Sequence, residues 1–203
     1  MNESTIKILG ISCLLIFLSF YFLLNRKIKE AKLIHSSWDD RIPFIAWSVF
    51  PYLFFYAPLL YGSIFISFFQ PLKDFYEFLF SFLIVLSESF LTFILYPTRV
   101  KEYEVLGTTI WDNLMRKVYQ HDKRVTSFPS IHVGISLVMT YYLYLWYPNL
   151  LFLFACVAIS IVISTVTTKQ HSIIDVVGGC IAAACAILLG KVLLFSISSY
   201  LLT

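Results

Sequence analysis

Two short stretches gather the side chains of this sequence that can do chemistry. Ser127-Phe-Pro-Ser-Ile-His132-Val-Gly134 and Thr168-Lys-Gln-His171-Ser-Ile-Ile-Asp175-Val-Val-Gly-Gly179 set two histidines, a lysine and a carboxylate where long apolar runs begin and end. Hydrocarbon penalises an ionisable group unless it faces water or a partner, so polar groups at such ends point to a site at a membrane surface. His171 and Asp175 are four residues apart, and helical geometry puts such side chains on one face. A carboxylate there accepts the proton of one imidazole nitrogen, fixes the tautomer and leaves the other lone pair free to attack an electrophile. His171 therefore reads as a nucleophile; a His–Asp pair that merely satisfies itself at a helix end is the alternative for those two residues taken alone.

The first stretch supplies what the second lacks. Pro129 suits the opening turn of a helix, and free N–H groups there attract anions such as phosphate. Ser130 offers a hydroxyl to that phosphate, and His132 titrates near neutrality, which suits a general acid for a departing alkoxide. Lys169 brings positive charge for the non-bridging oxygens of a transferring phosphoryl group. Arg99 and Lys101 either share that task or snorkel to anionic headgroups. A zinc site is disfavoured, because two histidines and one carboxylate stand without a nearby thiol or an H-E-x-x-H pairing. The chemistry expected is phosphoryl transfer with no metal and no cofactor.

These residues must be positioned by membrane helices. The chain has 203 residues, 59% hydrophobic and 13% charged, too little polar surface for a water-soluble globule of that size. Its apolar runs are continuous rather than alternating, which excludes a β-barrel and requires helices of about 20 residues each. The reading is an all-α polytopic membrane protein, a six-transmembrane-helix bundle forming one domain over residues 1–203. The expected spans are Ile6–Leu24, Ile42–Phe69, Phe75–Tyr96, Ile131–Tyr147, Leu150–Thr168 and Ile173–Leu201. Ile6–Leu24 is too long for a signal-peptide core and reads as a retained helix. With six spans, both histidine motifs and the basic end of the third span share one face of the membrane.

Within the longest loop, residues 110, 111, 114, 115 and 118 form an apolar helical stripe, with Thr109 as N-cap and Asp112 in the first turn. Such a helix either closes the bundle or guides lipid headgroups. Glu88 lies deeper, facing a polar cavity or a neighbouring helix, and reads as structural. His35 and His121 sit in loops with no partner at a suggestive spacing and are expected to be solvated. Cys13, Cys156, Cys180 and Cys185 fall in apolar runs and are expected to pack as small hydrophobes. Gly178 and Gly179 open a small-residue face suited to close helix packing. The basic residues lack the stripe and aromatic interleaving of a nucleic-acid binder. Loops on the histidine side carry twelve lysines and arginines, Lys29 and Lys123 among them, against three elsewhere, which by the positive-inside rule puts that side in the cytoplasm.

The two motifs resemble those of the type 2 phosphatidic acid phosphatase (PAP2) superfamily over about Leu95–Gly179. Phe128-Pro-Ser-Ile-His132 resembles its P-S-x-H element, and Ser164-Thr-Val-Thr-Thr-Lys-Gln-His171-Ser-Ile-Ile-Asp175 its S-R-x5-H-x3-D element. The resemblance implies a phosphohistidine on His171, Asp175 as its orienting partner, His132 as acid, Ser130 as phosphate contact, and no metal. Thr165 stands where the family usually has arginine, and Ile131 where glycine is frequent. The K-x6-R-P element is missing: Lys117 and Arg124 have the spacing, but Val125 follows and the pair lies close to Pro129. The Thr-Lys-Gln-His form and Asp122 are similar to the branch holding inositol-phosphorylceramide synthases and sphingomyelin synthase-like proteins. Expected, then, is an integral-membrane phosphatase acting on a lipid phosphomonoester or diphosphate, with a lipid phosphotransferase as the alternative and a transporter as a weaker one. The small size and lack of added domains suit a bacterial inner-membrane protein, and the resemblance favours a site on the outer or lumenal face, against the charge count.

Overall fold

The computed structural model describes residues 2–28, 30–122 and 124–201, so Lys29 and Lys123 lie outside the described residues. Among these residues the chain is helical apart from one short strand pair. The helices are α1 (Glu3–Lys27), α2 (Ser37–Arg41), α3 (Tyr56–Phe68), α4 (Leu72–Leu95), α5 (Ile110–His121), α6 (Ile131–Trp146), α7 (Leu151–Thr167) and α8 (Ile173–Leu201). Five stretches are long and apolar enough to cross a membrane: Glu3–Lys27, Ala46–Phe68, Leu72–Leu95, Pro148–Thr167 and Ile173–Ser196. The remaining expected span, Ile131–Tyr147, is α6, which is apolar but has only 16 residues. It rises about 24 Å, short of a ~30 Å hydrocarbon core. Its polar leading end is correspondingly sunk in protein, with Ser127 and Ser130 buried.

Helix α4 is the centre of the bundle, flanked by α8, α6 and α1. Its buried side chains Phe75, Phe78, Phe82, Leu86, Phe90 and Phe93 recur every three to four residues, the period of one helical face. They meet Ile135, Val138 and Met139 of α6 and Ala182, Ala183 and Ala186 of α8 in one continuous core. Large apolar side chains such as Phe65, Phe69, Phe152 and Phe195 stay exposed on the outside. That pattern suits a lipid solvent and would be costly in water. The four cysteines are also exposed there, not packed inside as expected, because they fall on outward helix faces.

The second span is irregular at its leading end. A 3₁₀ turn (Ala46–Ser48) and a π turn (Pro51–Phe55) precede α3. Pro58 has no N–H to give the carbonyl four residues earlier, and the widened turn accommodates that break. Loops at the same end are tied together. The strand β1 (Lys32–Leu33) pairs in parallel with β2 (Thr98–Arg99), joining the loop after α1 to the loop after α4. Thr109 and Asp112 form a reciprocal cap on α5, as the sequence implies. The apolar stripe of α5 then packs Met115, Trp111, Leu114 and Val118 onto Val49, Phe44 and Leu53.

Candidate active site

The leading ends of α6 and α8 meet. The Ser130 N–H donates to the Asp175 carbonyl at 3.0 Å, and Ser127 N–H to the Thr98 carbonyl at 3.1 Å, so both motifs and the exit of α4 form one unit. Two glycines permit the approach. A Cβ on Gly179 would lie 2.7 Å from the Ser130 carbonyl oxygen, and one on Gly178 would lie 2.4 Å from the Phe128 ring. The small-residue face thus sets how closely the two motifs come.

The His132 and His171 rings are 5.9 Å apart, centre to centre. Rings this close can address one phosphoryl group that lies beside both of them. His171 Nδ1 lies 3.1 Å from the Ser127 carbonyl and 3.5 Å from Asp175 Oδ2. A carbonyl only accepts, so Nδ1 carries the proton and Nε2 keeps its lone pair. Tautomer control, expected from Asp175 alone, is thus shared with a backbone group. Asp175 is fully buried, and its Oδ2 also accepts from the Ser172 N–H at 2.8 Å. His132 is held by rings: Tyr52 stacks on it and Tyr56 lies tilted beside it, each 4.4 Å between centres. The π turn brings both tyrosines to this one imidazole.

Residues between α7 and α8 aim His171. Lys169 takes a left-handed backbone (φ 54), and the N–H groups of Gln170 and His171 both return to the Thr165 carbonyl at 3.1 and 3.0 Å. Such a turn disfavours a residue with a side chain. The Lys169 ammonium offsets that cost by donating to the Asp39 carbonyl at 2.8 Å and to the Ile42 carbonyl. Burial pushes its pKa below the ordinary lysine range, with Asp39 opposing the shift. The Asp39 carboxylate meanwhile accepts from the Ile173 N–H at 2.8 Å, capping α8. Thr165, which stands where the resemblance implies arginine, is fully buried and returns its hydroxyl to the Val162 carbonyl.

Two cavities meet at His171. The smaller, about 220 Å³, is lined by Lys169, Lys101, Asp39, Asp40, His35 and Ser172 among others. The larger, about 730 Å³, is lined by both histidines, by Tyr52 and Tyr56, and by residues of α1, α3, α4 and α5. His171 thus stands between His132 on one side and Lys169 and Lys101 on the other, with Asp175 buried behind it and lining neither cavity. Ser130 is buried, and its hydroxyl caps α6 at Val133 N–H (3.4 Å), so it lines neither cavity. Arg99 lies outside both cavities, 3.9 Å from Glu102. His35 is paired, contrary to expectation: its Nε2 is 2.8 Å from Asp40 Oδ2, while Lys101 reaches Asp40 Oδ1 at 3.3 Å. Those two partners, His35 first, hold the Asp40 carboxyl below the usual carboxylate range. His121 ends α5 on the Lys117 carbonyl and lines the larger cavity. Glu88 leaves one carboxylate oxygen, Oε2, without a hydrogen-bond partner among the described residues.

Several contributors escaped the sequence reading. The Ser127 carbonyl, the Tyr52 and Tyr56 rings and the Asp39 cap carry no motif. Arg124 stacks its guanidinium 4.3 Å from the Tyr119 ring, with Nη1 buried and unpartnered among the described residues. Tyr119 in turn donates to the Thr168 carbonyl at 2.6 Å, which places that cation behind the His171 turn.

A bundle of membrane helices with a histidine pair at one buried end defines an integral-membrane protein built around one polar centre. The sequence model of the PAP2 superfamily matches residues 32–189, and the chain belongs to that superfamily, whose members are generally phosphatases and phosphotransferases. No curated protein and no solved structure matches it.

Proposed function

We propose that the chain hydrolyses a lipid phosphomonoester or diphosphate through a phosphohistidine on His171. The observation that carries this reading is the 5.9 Å separation of two imidazoles, one of which has its Nδ1 proton fixed by a backbone carbonyl. Nε2 of His171 attacks phosphorus, the bond to the lipid oxygen breaks, and His132 gives that oxygen a proton. Water then attacks the phosphorus, His132 takes back a proton, and phosphate leaves as the P–N bond breaks. Asp175 offsets the positive charge on the phosphorylated ring. Lys169 and Lys101, on the side of the smaller cavity, add charge for the phosphate oxygens.

A second reading keeps the first half-reaction and lets an alcohol replace water, giving a phosphotransferase. It is favoured by Asp122, which lines the larger cavity with both histidines and accepts from Asn25 at 2.8 Å and Tyr21 at 3.0 Å. A panel of phosphatidic acid, phosphatidylglycerophosphate and polyprenyl diphosphate, run in EDTA with purified protein, tests both. Free phosphate release, lost in His171→Ala and His132→Ala, supports hydrolysis. Headgroup transfer to an added lipid alcohol supports the second reading. Turnover retained in folded His171→Ala would refute the shared chemistry.

A further inference from the structure

His171 is oriented through Nδ1, by the Ser127 carbonyl and by Asp175. His132 has no such tether: among the described residues no hydrogen bond reaches its ring. Two aromatic rings meet it instead. Tyr52 stacks on it at 4.4 Å with 24° between the planes, and Tyr56 stands 4.4 Å away at 41°. Residues four apart share one helical face. The widened turn Pro51–Phe55 carries the first tyrosine and leads straight into the second, and turns of this kind concentrate at functional sites. Neither tyrosine hydroxyl has a hydrogen-bond partner among the described residues, so the rings and not the phenols engage the imidazole.

An imidazole that acts as general acid must carry its proton as a cation until the leaving oxygen takes it. Sinking His132 into the head of α6 strips water from that cation. The face of an aromatic ring attracts a cation within about 6 Å of its centre, and both tyrosines stand inside that limit.

We infer that Tyr52 and Tyr56 are positioning residues for the general acid: their rings fix the plane of the His132 imidazole and stand in for water around its protonated form. This rests on the phosphatase reading, in which a proton passes from His132 to the lipid oxygen as the P–O bond breaks. The rings contribute nothing to the attack by His171 and act only where the leaving group needs that proton.

The test pairs each active lipid of the panel, phosphatidic acid first, with an analogue in which sulfur replaces the bridging oxygen. The two have nearly the same shape, but a thiolate departs without a proton. The readout is the ratio of kcat/KM for the oxygen substrate to that for the sulfur analogue. Tyr52→Leu and Tyr56→Leu should each lower this ratio about tenfold, the effect of losing a desolvated ring–cation contact. Tyr52→Phe and Tyr56→Phe keep the ring and should hold the ratio within about threefold of wild type. In a His132→Ala background, Tyr52→Leu should leave the ratio where His132→Ala alone puts it, because the ring then has no imidazole to act on. The ratio is internal to each preparation, so partial misfolding does not alter it. Tyr52→Met and Tyr56→Met fill irregular space without a ring and serve wherever a leucine variant is inactive on both substrates. Equal or complete losses on both substrates in every ring-removing variant, or a fall in the ratio that persists without His132, overturn the positioning role while the phosphatase reading stands. A His132→Ala protein that loses equally on both substrates refutes the acid role and the inference with it. A wild type inert on the whole panel refutes the phosphatase reading as well.

Discussion

Replacing Asp175 with asparagine removes a charge and keeps the shape. The asparagine oxygen can still accept from the Ser172 N–H, as Asp175 Oδ2 does at 2.8 Å. What disappears is the attraction between a buried carboxylate and the charge that forms on His171, 3.5 Å away. At an effective dielectric constant of about 20, unit charges at that separation attract by roughly 4–5 kcal/mol. Delocalisation around the ring and the partial exposure of His171 reduce this to about 3–4 kcal/mol, or 10²–10³-fold in rate. The loss stops there because the Ser127 carbonyl, 3.1 Å from Nδ1, keeps the tautomer. The assay is kcat on a lipid phosphate in detergent. Acid-quenched single turnovers, read by ³¹P NMR or radiolabel, follow the phosphohistidine alongside it. A fall of less than about fivefold would mean that the carbonyl alone sustains the nucleophile. A fall as deep as that of His171→Ala would mean that Asp175, not Ser127, fixes the tautomer.

His132→Ala should cost about 10²–10⁴-fold on an alkyl phosphate and far less on p-nitrophenyl phosphate, whose leaving group needs no proton; equal losses on both would remove the general acid. Gly179→Ala forces a carbon to 2.7 Å from the Ser130 carbonyl, so the leading ends of α6 and α8 must part. It should destabilise by about 1–3 kcal/mol in a detergent unfolding titration and lower kcat more than tenfold; normal activity would show that the ring separation is not critical. Because burial depresses the Lys169 pKa, its charge is lost as pH rises sooner than that of an ordinary lysine. The alkaline limb of a kcat/KM profile should therefore move to higher pH in Lys169→Arg, and an unmoved limb would exclude Lys169 from phosphate binding.

Local signals carried well from sequence to structure. The Thr109–Asp112 cap and the apolar stripe of α5 each depend on neighbours within one or two turns, which spacing alone determines. His171 and Asp175 do meet, at 3.5 Å, but His171 stands in the turn before α8, so that turn and not a shared helical face brings them together. Continuous apolar runs likewise gave the spans, save that α6 is shorter than a full crossing. What spacing could not reveal was made by distant backbone. Ser127 acts through its carbonyl, 44 residues from His171, and Lys169 is tethered to carbonyls about 130 residues away. Every residue has a carbonyl, so such roles leave no mark in side-chain identity. The pairing of His35 is missed although its partner Asp40 stands only five residues on, because the short helix α2 has to turn that carboxylate back toward the ring. Ser130 looked like a phosphate ligand, but a serine before a helix also caps it, and capping is the use visible for its hydroxyl.

The span matched to the superfamily begins at residue 32, after α1 has ended at Lys27. Yet Leu18, Tyr21, Asn25 and Arg26 of α1 wall the larger cavity beside both histidines. Asn25 also donates to Asp122 and to Thr126, one residue before Ser127, so the leading helix is stitched to the stretch of chain that orients the imidazole. A leading helix grafted from a relative would remould the room beside the histidines, and would have to keep that asparagine to leave the cutting tool as it was.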